Sequence, residues 1–254
     1  MKLRSPYGKL VSTMARRKIV FVIVEGPADS TALGLFLEQF YSPERVHVHI
    51  VHGDITTRSG NIPSNILKKV AAEIQEYARD NHLKSLHFQE IIHLVDTDGA
   101  YVPDDAIIED DSVVEVLYSE TEIRTVNKTE IINRNAQKRA NIDKLSTTNE
   151  IWGLPYHVYY MSCNLDHVLY NKLNTSDEEK KRDAHQFGKF YRDRLSEFIT
   201  FISESEFSVT GEYNKSWEFI KEEKHSLERY TNMGLSFSIK EEPLVTNQKG
   251  STEE

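Results

Sequence analysis

The sequence predicts an α/β protein with an open, mainly parallel sheet flanked by helices, and three observations lead to that prediction. Residues 19–24 form an unbroken apolar run rich in β-branched side chains, which is typical of a strand buried on both faces. A similar run occupies 91–95, and helical patterns lie between the two. Strands that alternate with helices favour parallel pairing through right-handed crossovers.

The single elements follow from periodicity and from turn residues. The helix at 28–40 carries Ala32, Leu33 and Phe36 at helical spacing, and Pro43 follows its end. The stretch 45–51 alternates as a strand does. The predicted strands are 18–24, 45–51, 89–95 and 154–161, and the predicted helices are 28–40, 63–80, 165–170, 177–204 and 213–230.

Residues 99–150 interrupt this alternation, because they are polar and acidic where another strand and helix would be expected. We predict that they form an insertion, with a short strand at 113–118 and a helix over 127–145. The predicted organisation is a disordered N-terminal extension (1–14), an α/β domain with this insertion (15–172), a helical extension (173–242) and a disordered tail (243–254).

Composition limits the classes of function. The chain has 254 residues and one cysteine, Cys163, which excludes an internal disulfide framework and a cysteine-based zinc site. The net charge of −9 argues against a protein that coats nucleic acid through bulk charge. No apolar run approaches the roughly 20 residues that span a bilayer, and no signal-peptide pattern is present, so a cytoplasmic location without a membrane partner is expected.

Acidic residues follow two of the predicted strands. Glu25 comes directly after the first strand, and Asp96 and Asp98 end the third. The carboxyl ends of parallel strands meet at one edge of a sheet, where such folds bind ligands. Two acids spaced by two residues on a continuing strand would face the same side, and two carboxylates there suit magnesium. Either pattern alone is also common in ordinary turns.

Three further acids have two interpretations each. Asp29 lies one turn into the first helix, where the helix dipole favours negative charge, but it could simply cap that helix. Asp54 ends the second strand and either joins the site or belongs to a turn beside Gly53. Asp166 follows the fourth strand and is either a site residue or an acid at a helix start.

Basic residues are scattered through the insertion and the later helix. Those of the insertion either contact phosphates or form a solvated helix face, and the two interpretations are equally supported. For the bases at 180–194 the solvated face is favoured. The candidate nucleic-acid contacts are Arg124, Lys128, Arg134, Lys138 and Arg139.

The stretches Val24-Glu25-Gly26-Pro27-Ala28-Asp29 and Val95-Asp96-Thr97-Asp98-Gly99 together resemble the Toprim domain. The resemblance covers residues 18–100 and the strand at 156–162, under half of the chain. It implies that Glu25 is a general acid/base or metal ligand and that Asp96 and Asp98 bind Mg²⁺ (or Mn²⁺). The chain has no phosphate loop and no four-cysteine module, so it is similar to stand-alone Toprim nucleases and anti-phage effectors rather than to topoisomerases or primases.

The leading hypothesis is therefore a magnesium-dependent phosphoryl-transfer enzyme, a nuclease that cuts RNA or DNA. The similarity to Toprim effectors implies antiviral defence and an ATPase or another defence protein as partner. In this hypothesis Glu25 acts on the attacking water or completes the metal shell, and Asp29 orients its neighbours. The alternative is a catalytically silent Toprim-like module that binds or regulates a protein partner.

Overall fold

The structure is a computed structural model that describes residues 18–41 and 45–238. It confirms an α/β fold whose five-stranded, mostly parallel sheet is flanked by helices. The predicted disordered segments at 1–14 and 243–254 lie outside the described residues. No helix within the described ranges combines the length and the apolar character needed to cross a membrane.

The elements fall close to their predicted positions over the first half of the chain. The strands are β1 (Ile19–Val24), β2 (Arg45–Ile50), β3 (Phe88–Asp96), β4 (Ile107–Glu109), β5 (Leu117–Tyr118), β6 (Ile123–Thr125), β7 (Glu150–Ile151) and β8 (Leu154–Met161). The α-helices are α1 (Pro27–Phe40), α2 (Ile66–Asp80), α3 (Lys128–Ser146), α4 (Leu165–Tyr170), α5 (Asp177–Tyr191), α6 (Leu195–Glu204), α7 (Tyr213–Phe219) and α8 (Leu235–Ser238).

The main sheet has the strand order β2-β1-β3-β8-β7. Its first four strands are mutually parallel, and the short β7 is antiparallel to β8. Strand β1 lies near the centre with β2 and β3 on its two sides, so the residues that follow β1 and β3 emerge next to each other at the carboxyl edge.

Two hydrophobic cores cover the faces of the sheet, and β1 contributes to both. Phe21 and Ile23 join the core that contains residues of α2 and α3. Val20 and Val22 join the opposite core, which contains residues of α1 and α6 such as Phe36. Because every residue of β1 is buried, the strand has no polar alternation, which explains its unbroken apolar run.

The insertion folds into a small three-stranded sheet of order β4-β6-β5 and the helix α3. Helix α3 matches the helix predicted over 127–145, and the side chain of Asn127 caps it by accepting a hydrogen bond from the Glu130 backbone at 3.1 Å. Only Leu117 and Tyr118 of the predicted strand at 113–118 are in a strand. Val114 is instead 99% exposed.

The single helix predicted over 177–204 is wrong, because the structure divides this stretch into α5 and α6. The chain turns at 192–194, where the Arg194 amide donates to the Tyr191 carbonyl at 2.8 Å. The turn brings Phe198 of α6 onto Phe36 of α1, with ring centroids 4.3 Å apart. Aromatic packing on α1 therefore overrides the continuous helical periodicity.

The helix predicted over 213–230 is also wrong beyond Phe219, where α7 ends. The residues that follow form successive turns, and Glu223 adopts a left-handed conformation with φ of 44°. This turn segment crosses the carboxyl edge of the sheet, where the Ser226 carbonyl accepts hydrogen bonds from the loop after β3. The helical spacing of the apolar residues in this segment predicted a helix and did not indicate the contact of Ser226 with the loop after β3.

Candidate functional site

Glu25 and Asp96 lie side by side at the carboxyl edge of the sheet. The Asp96 amide donates to Oε1 of Glu25 at 3.3 Å, although the two residues are 71 apart in sequence. The Glu25 carbonyl also accepts a hydrogen bond from the Gly53 amide after β2 at 3.1 Å. Parallel pairing of β1 with β2 and β3 thus brings together the residues that follow all three strands.

Asp98 lies in a second group of charges, centred on Lys138 of α3. Strand β3 ends at Asp96, and Asp98 has a left-handed backbone with φ of 48°, so strand alternation does not place it beside Asp96. The Lys138 ammonium donates to Oδ2 of Asp98 and, at 2.7 Å, to Oδ2 of Asp54. Lys138 is fully buried, so this lysine compensates the two carboxylates inside the protein.

The two acidic groups differ in their protonation behaviour. Burial and neighbouring acids raise the pKa of Glu25 well above its ordinary value despite an opposing effect of Lys138. Burial and the nearby Glu25 likewise raise the pKa of Asp96. Burial would also raise the pKa of Asp54, but Lys138 and Thr56 lower it to about 2. The site therefore holds a protonatable pair next to a fixed ion-pair cluster.

Lys138 itself stays charged. Burial alone would lower its pKa, but the charges of Asp98, Asp54 and Glu25 raise the pKa well above the ordinary lysine value. The sequence suggested Lys138 only as a phosphate contact from the insertion. Its buried position on α3, among acids that follow three strands, could not be read from spacing.

Asp29 and Asp166 form the outer part of the acidic region. Oδ2 of Asp29 accepts a hydrogen bond from the Gly26 amide at 2.9 Å, as a capping residue does, and burial raises the Asp29 pKa to about 6. Asp166 is buried, accepts a hydrogen bond from Thr175 at 2.7 Å and raises the Asp29 pKa through its charge. Lys180 of α5 lies 4.0 Å from Asp166.

The loop after β3 is fixed by residues that the sequence did not single out. Thr97 Oγ1 donates to the Ser226 carbonyl at 2.8 Å, and the Gly99 amide donates to the same oxygen at 3.2 Å. Thr97 Oγ1 also accepts from the Cys163 amide at 2.8 Å. These bonds tie the acidic loop to the start of α4 and to the turn segment after α7.

The candidate phosphate-contacting bases of the insertion mostly bind the protein itself. Arg134 donates to the Tyr118 hydroxyl at 2.6 Å and to the Asp98 carbonyl at 3.0 Å. Arg139 donates to the Ala100 carbonyl at 3.1 Å. Arg124 is exposed but pairs with Glu122 and Asp110, and Lys128, which is half-buried, begins α3.

A cleft of about 490 Å³ opens beside Glu25 and Asp96. It is lined by the turn from β1 into α1, including Asp29, and by the first two turns of α5. Its lining residues are Glu25, Gly26, Pro27, Ala28, Asp29, Thr31, Asp96, Asp177, Lys180 and Lys181. The cleft is large enough to admit a phosphate and its flanking sugar groups.

The carboxylates that face the cleft provide some of the oxygen ligands that a hard divalent cation needs. Within the described ranges, no group of three or more histidine, cysteine, aspartate or glutamate side chains is arranged to hold a metal ion. Glu25 and Asp96 nevertheless face one cleft, and neither forms an ion pair with a described residue. Burial raises both pKa values and repulsion between neighbouring acids adds to the rise, and a cation there would offset both effects by stabilising the ionised carboxylates. Magnesium needs only one or two protein carboxylates because it retains water.

The fold and site together define an α/β protein with an acidic cluster at the carboxyl edge of a parallel sheet. Comparison with known proteins finds no matching family model, curated protein or solved structure. The functional assignment therefore depends on the geometry of the site and on its two acidic sequence motifs.

Proposed function

We propose that this chain is a magnesium-dependent phosphoryl-transfer enzyme with a Toprim-like core, acting as a nuclease on RNA or DNA. The observation that carries the proposal is the pairing of Glu25 with Asp96 in an open cleft at the carboxyl edge of the sheet. Parallel α/β sheets bind their ligands at this edge. Burial of carboxylates without an ion-pair partner destabilises a fold, and carboxylates with strongly shifted pKa values cluster at functional sites.

Glu25 and Asp96 would hold Mg²⁺ or Mn²⁺, with Asp98 close behind them. When bound, the ion supplies Lewis-acid polarisation of the scissile phosphate and charge for the leaving oxygen. If Asp96 alone holds the ion, the Glu25 carboxylate is placed to accept a proton from the attacking water, and if Glu25 completes the metal shell it orients that water instead. Asp29, which also lines the cleft, accepts a hydrogen bond from the Gly26 amide and so orients the Glu25 turn.

Lys138 has a structural role in this proposal. It forms ion pairs with Asp54 and Asp98 and leaves Glu25 and Asp96 as the acidic pair that faces the cleft. The buried ammonium also lowers the pKa of both members of that pair through its charge. Lys138 thereby keeps the Glu25–Asp96 pair closer to its ionised, cation-binding form.

The test is a cleavage assay on tRNA, single-stranded DNA and duplex DNA with Mg²⁺ or Mn²⁺. Glu25→Gln keeps the shape of the side chain but removes its charge, and we expect cleavage to fall at least about 100-fold. Glu38→Gln, on the exposed side of α1, is the matched control and should retain full activity. Equal cleavage by Glu25→Gln and the unaltered chain would refute the assignment.

A second candidate is a catalytically silent Toprim-like module that acts through a protein partner such as an ATPase. The observation that favours it is the capture of Asp98 by Lys138, which leaves fewer free carboxylates than the sequence suggested. Calorimetric titration with Mg²⁺ separates the two functions. Binding that is absent, or that survives the double change Asp96→Asn and Asp98→Asn, would favour the silent module.

A further inference from the structure

The cleft beside Glu25 has a basic side that comes from outside the α/β core. Lys180 and Lys181 lie in the first two turns of α5 and line the cleft together with Asp96 and the Glu25 turn. Lys180 is half-buried, whereas Lys181 is exposed. One lysine therefore lies deeper in the cleft than the other.

The first turn of α5 is held firmly in place. Ser176 and Glu179 form a reciprocal cap, in which the Ser176 amide donates to Oε2 of Glu179 at 3.0 Å. The preceding residue, Thr175, donates to buried Asp166 at 2.7 Å. Further along, α5 approaches α1 so closely that a Cβ on Gly188 would lie 3.3 Å from the Thr31 carbonyl. The two lysines thus extend from a rigid support next to the acidic pair.

Their charges are only weakly compensated. Lys180 is 4.0 Å from Asp166, at the limit of an ion pair, and its charge lowers the Asp29 pKa. Lys181 forms no ion pair with any described residue. The acids that share the cleft with them are Glu25, Asp29, Asp96 and Asp177. A cation in a cleft, without a carboxylate partner, is a suitable binding group for an anionic ligand.

The other basic side chains near the acidic cluster form ion pairs or hydrogen bonds within the protein. Lys138 is buried between two aspartates, and the guanidinium groups of Arg134 and Arg139 donate to backbone carbonyls. Among the described residues that line this cleft, the positively charged side chains are those of Lys180 and Lys181.

We propose that Lys180 and Lys181 bind the phosphodiester backbone of a nucleic-acid strand and align it with Glu25 and Asp96. This inference rests on the proposed nuclease function. Lys180 contacts a phosphate near the acidic pair, and Lys181 contacts the backbone at the mouth of the cleft. Lysine binds phosphate as a point charge without reading bases, so the contact positions a strand of any sequence. The insertion is then not the main nucleic-acid surface, and α5 of the helical extension takes that role.

The test measures binding in the Glu25→Gln background, so that cleavage does not consume the probe. Fluorescence anisotropy follows a labelled single-stranded oligonucleotide, as RNA and as DNA, at several salt concentrations. Lys180→Gln and Lys181→Gln should each weaken binding about tenfold. Each should also reduce the slope of log affinity against log salt by about 0.7, the value for one lost phosphate contact on a single strand.

Two controls separate charge from structure. Lys189→Gln removes an exposed lysine from the last turn of the same helix, away from the cleft, and should leave affinity and slope unchanged. Lys181→Arg keeps the charge and should restore most of the affinity.

Unchanged affinity and slope in both cleft variants, with cleavage by the otherwise unaltered chain still dependent on Glu25, would overturn the lysine assignment alone. Failure of the unaltered chain to bind or cleave any of the probes would overturn the nuclease function as well.

Discussion

The ammonium group of Lys138 lies 2.7 Å from the Asp54 carboxylate, although the two residues are 84 apart in sequence. The same ammonium bonds to Asp98, so one buried lysine joins the ends of β2 and β3 to the inserted helix α3. Removal of one partner from a buried ion pair costs more than the pair contributes, because the remaining charge loses its compensation.

We therefore expect Lys138→Met to lower the free energy of unfolding by about 3–5 kcal/mol. Urea denaturation followed by circular dichroism measures this change. Lys144→Met, at an exposed position on the same helix, should stay within about 0.5 kcal/mol of the unaltered chain. Addition of Asp54→Asn and Asp98→Asn to Lys138→Met should recover part of the loss, and no recovery would argue against uncompensated charge as its cause.

Gly99 should tolerate no side chain. Its φ is +65°, and a Cβ at this position would lie 2.6 Å from Cδ2 of Leu227. Gly60 also has a positive φ, +79°, but a Cβ there meets nothing within 4 Å. Gly60→Ala thus measures the cost of backbone strain, about 1–2 kcal/mol, and Gly99→Ala should exceed it by a further 1–3 kcal/mol or so through overpacking.

The matching double variant, Gly99→Ala with Leu227→Ala, tests the clash directly. The coupling between the two changes should be favourable by at least about 0.5 kcal/mol, since the truncated Leu227 leaves room for the new methyl group. Additive effects of the two changes in chemical denaturation would show that the steric explanation is wrong.

His93 should make stability depend on pH. Burial lowers its pKa to about 4, and its Nδ1 lies 2.8 Å from the Tyr156 hydroxyl. Between about pH 6.5, the ordinary histidine pKa, and pH 4, the unfolded chain binds a proton at this histidine and the folded chain does not. The contribution of neutral His93 to stability is therefore complete above about pH 6.5 and is lost as the pH falls to about 4. From pH 7 to pH 5 the loss amounts to about 2 kcal/mol.

Thermal or urea unfolding at both pH values measures that loss. His93→Gln should remove about 2 kcal/mol of the pH dependence, because glutamine does not titrate in this range. His185→Gln changes an exposed histidine on α5 and should reproduce the profile of the unaltered chain. Identical profiles for His93→Gln and the unaltered chain would contradict the buried neutral state of His93.

Asp96→Asn should stabilise the protein in the absence of metal. Burial and the neighbouring Glu25 raise the Asp96 pKa, so ionisation of Asp96 opposes folding, and this opposition grows as pH rises above the ordinary aspartate pKa of about 3.9 and levels off above the folded pKa. Replacement by a neutral amide should add about 1–2 kcal/mol at pH 7.5, a gain that disappears below about pH 4, where Asp96 is protonated in the folded and the unfolded chain alike. Asp104→Asn, at an exposed position in a short 3₁₀ helix, should change stability by less than about 0.5 kcal/mol.

Magnesium should make the unaltered protein more stable than Asp96→Asn. The ion stabilises the folded chain only if it binds the folded state, so the melting temperature of the unaltered protein should rise with Mg²⁺ concentration. Asp96→Asn should show little response. An equal rise in both proteins would place the metal elsewhere.

The sequence predicted the sheet well because its signal is local. Buried strands such as β1 and β3 are continuous apolar runs, and the helix between β1 and β2 has a clear apolar stripe. The divided α5–α6 stretch was not predictable, because the turn is dictated by the contact of Phe198 with Phe36, far away in sequence. Long-range packing of this kind leaves no periodic signal.

The candidate site was predictable only in part. The acids after β1 and β3 could be placed at one edge, since parallel topology requires it. The residues around those acids could not be predicted. Lys138, which pairs with Asp98, comes from the insertion, and Ser226, whose carbonyl holds Thr97, comes from a segment whose spacing indicated a helix. The orientation of Asp98 depends on a left-handed backbone that its Asp-Gly sequence allows but does not require.

The anchoring of the Asp96–Gly99 loop by Ser226 also has a consequence for biosynthesis. A ribosome makes the chain from its N-terminus, so the sheet strands and their acids emerge long before the carbonyl that holds Thr97 and Gly99. A nascent chain can therefore have β1 and β3 folded while the loop still lacks its anchor. If the chain is a nuclease, this order delays completion of its active-site loop until the segment around Ser226 has been synthesised.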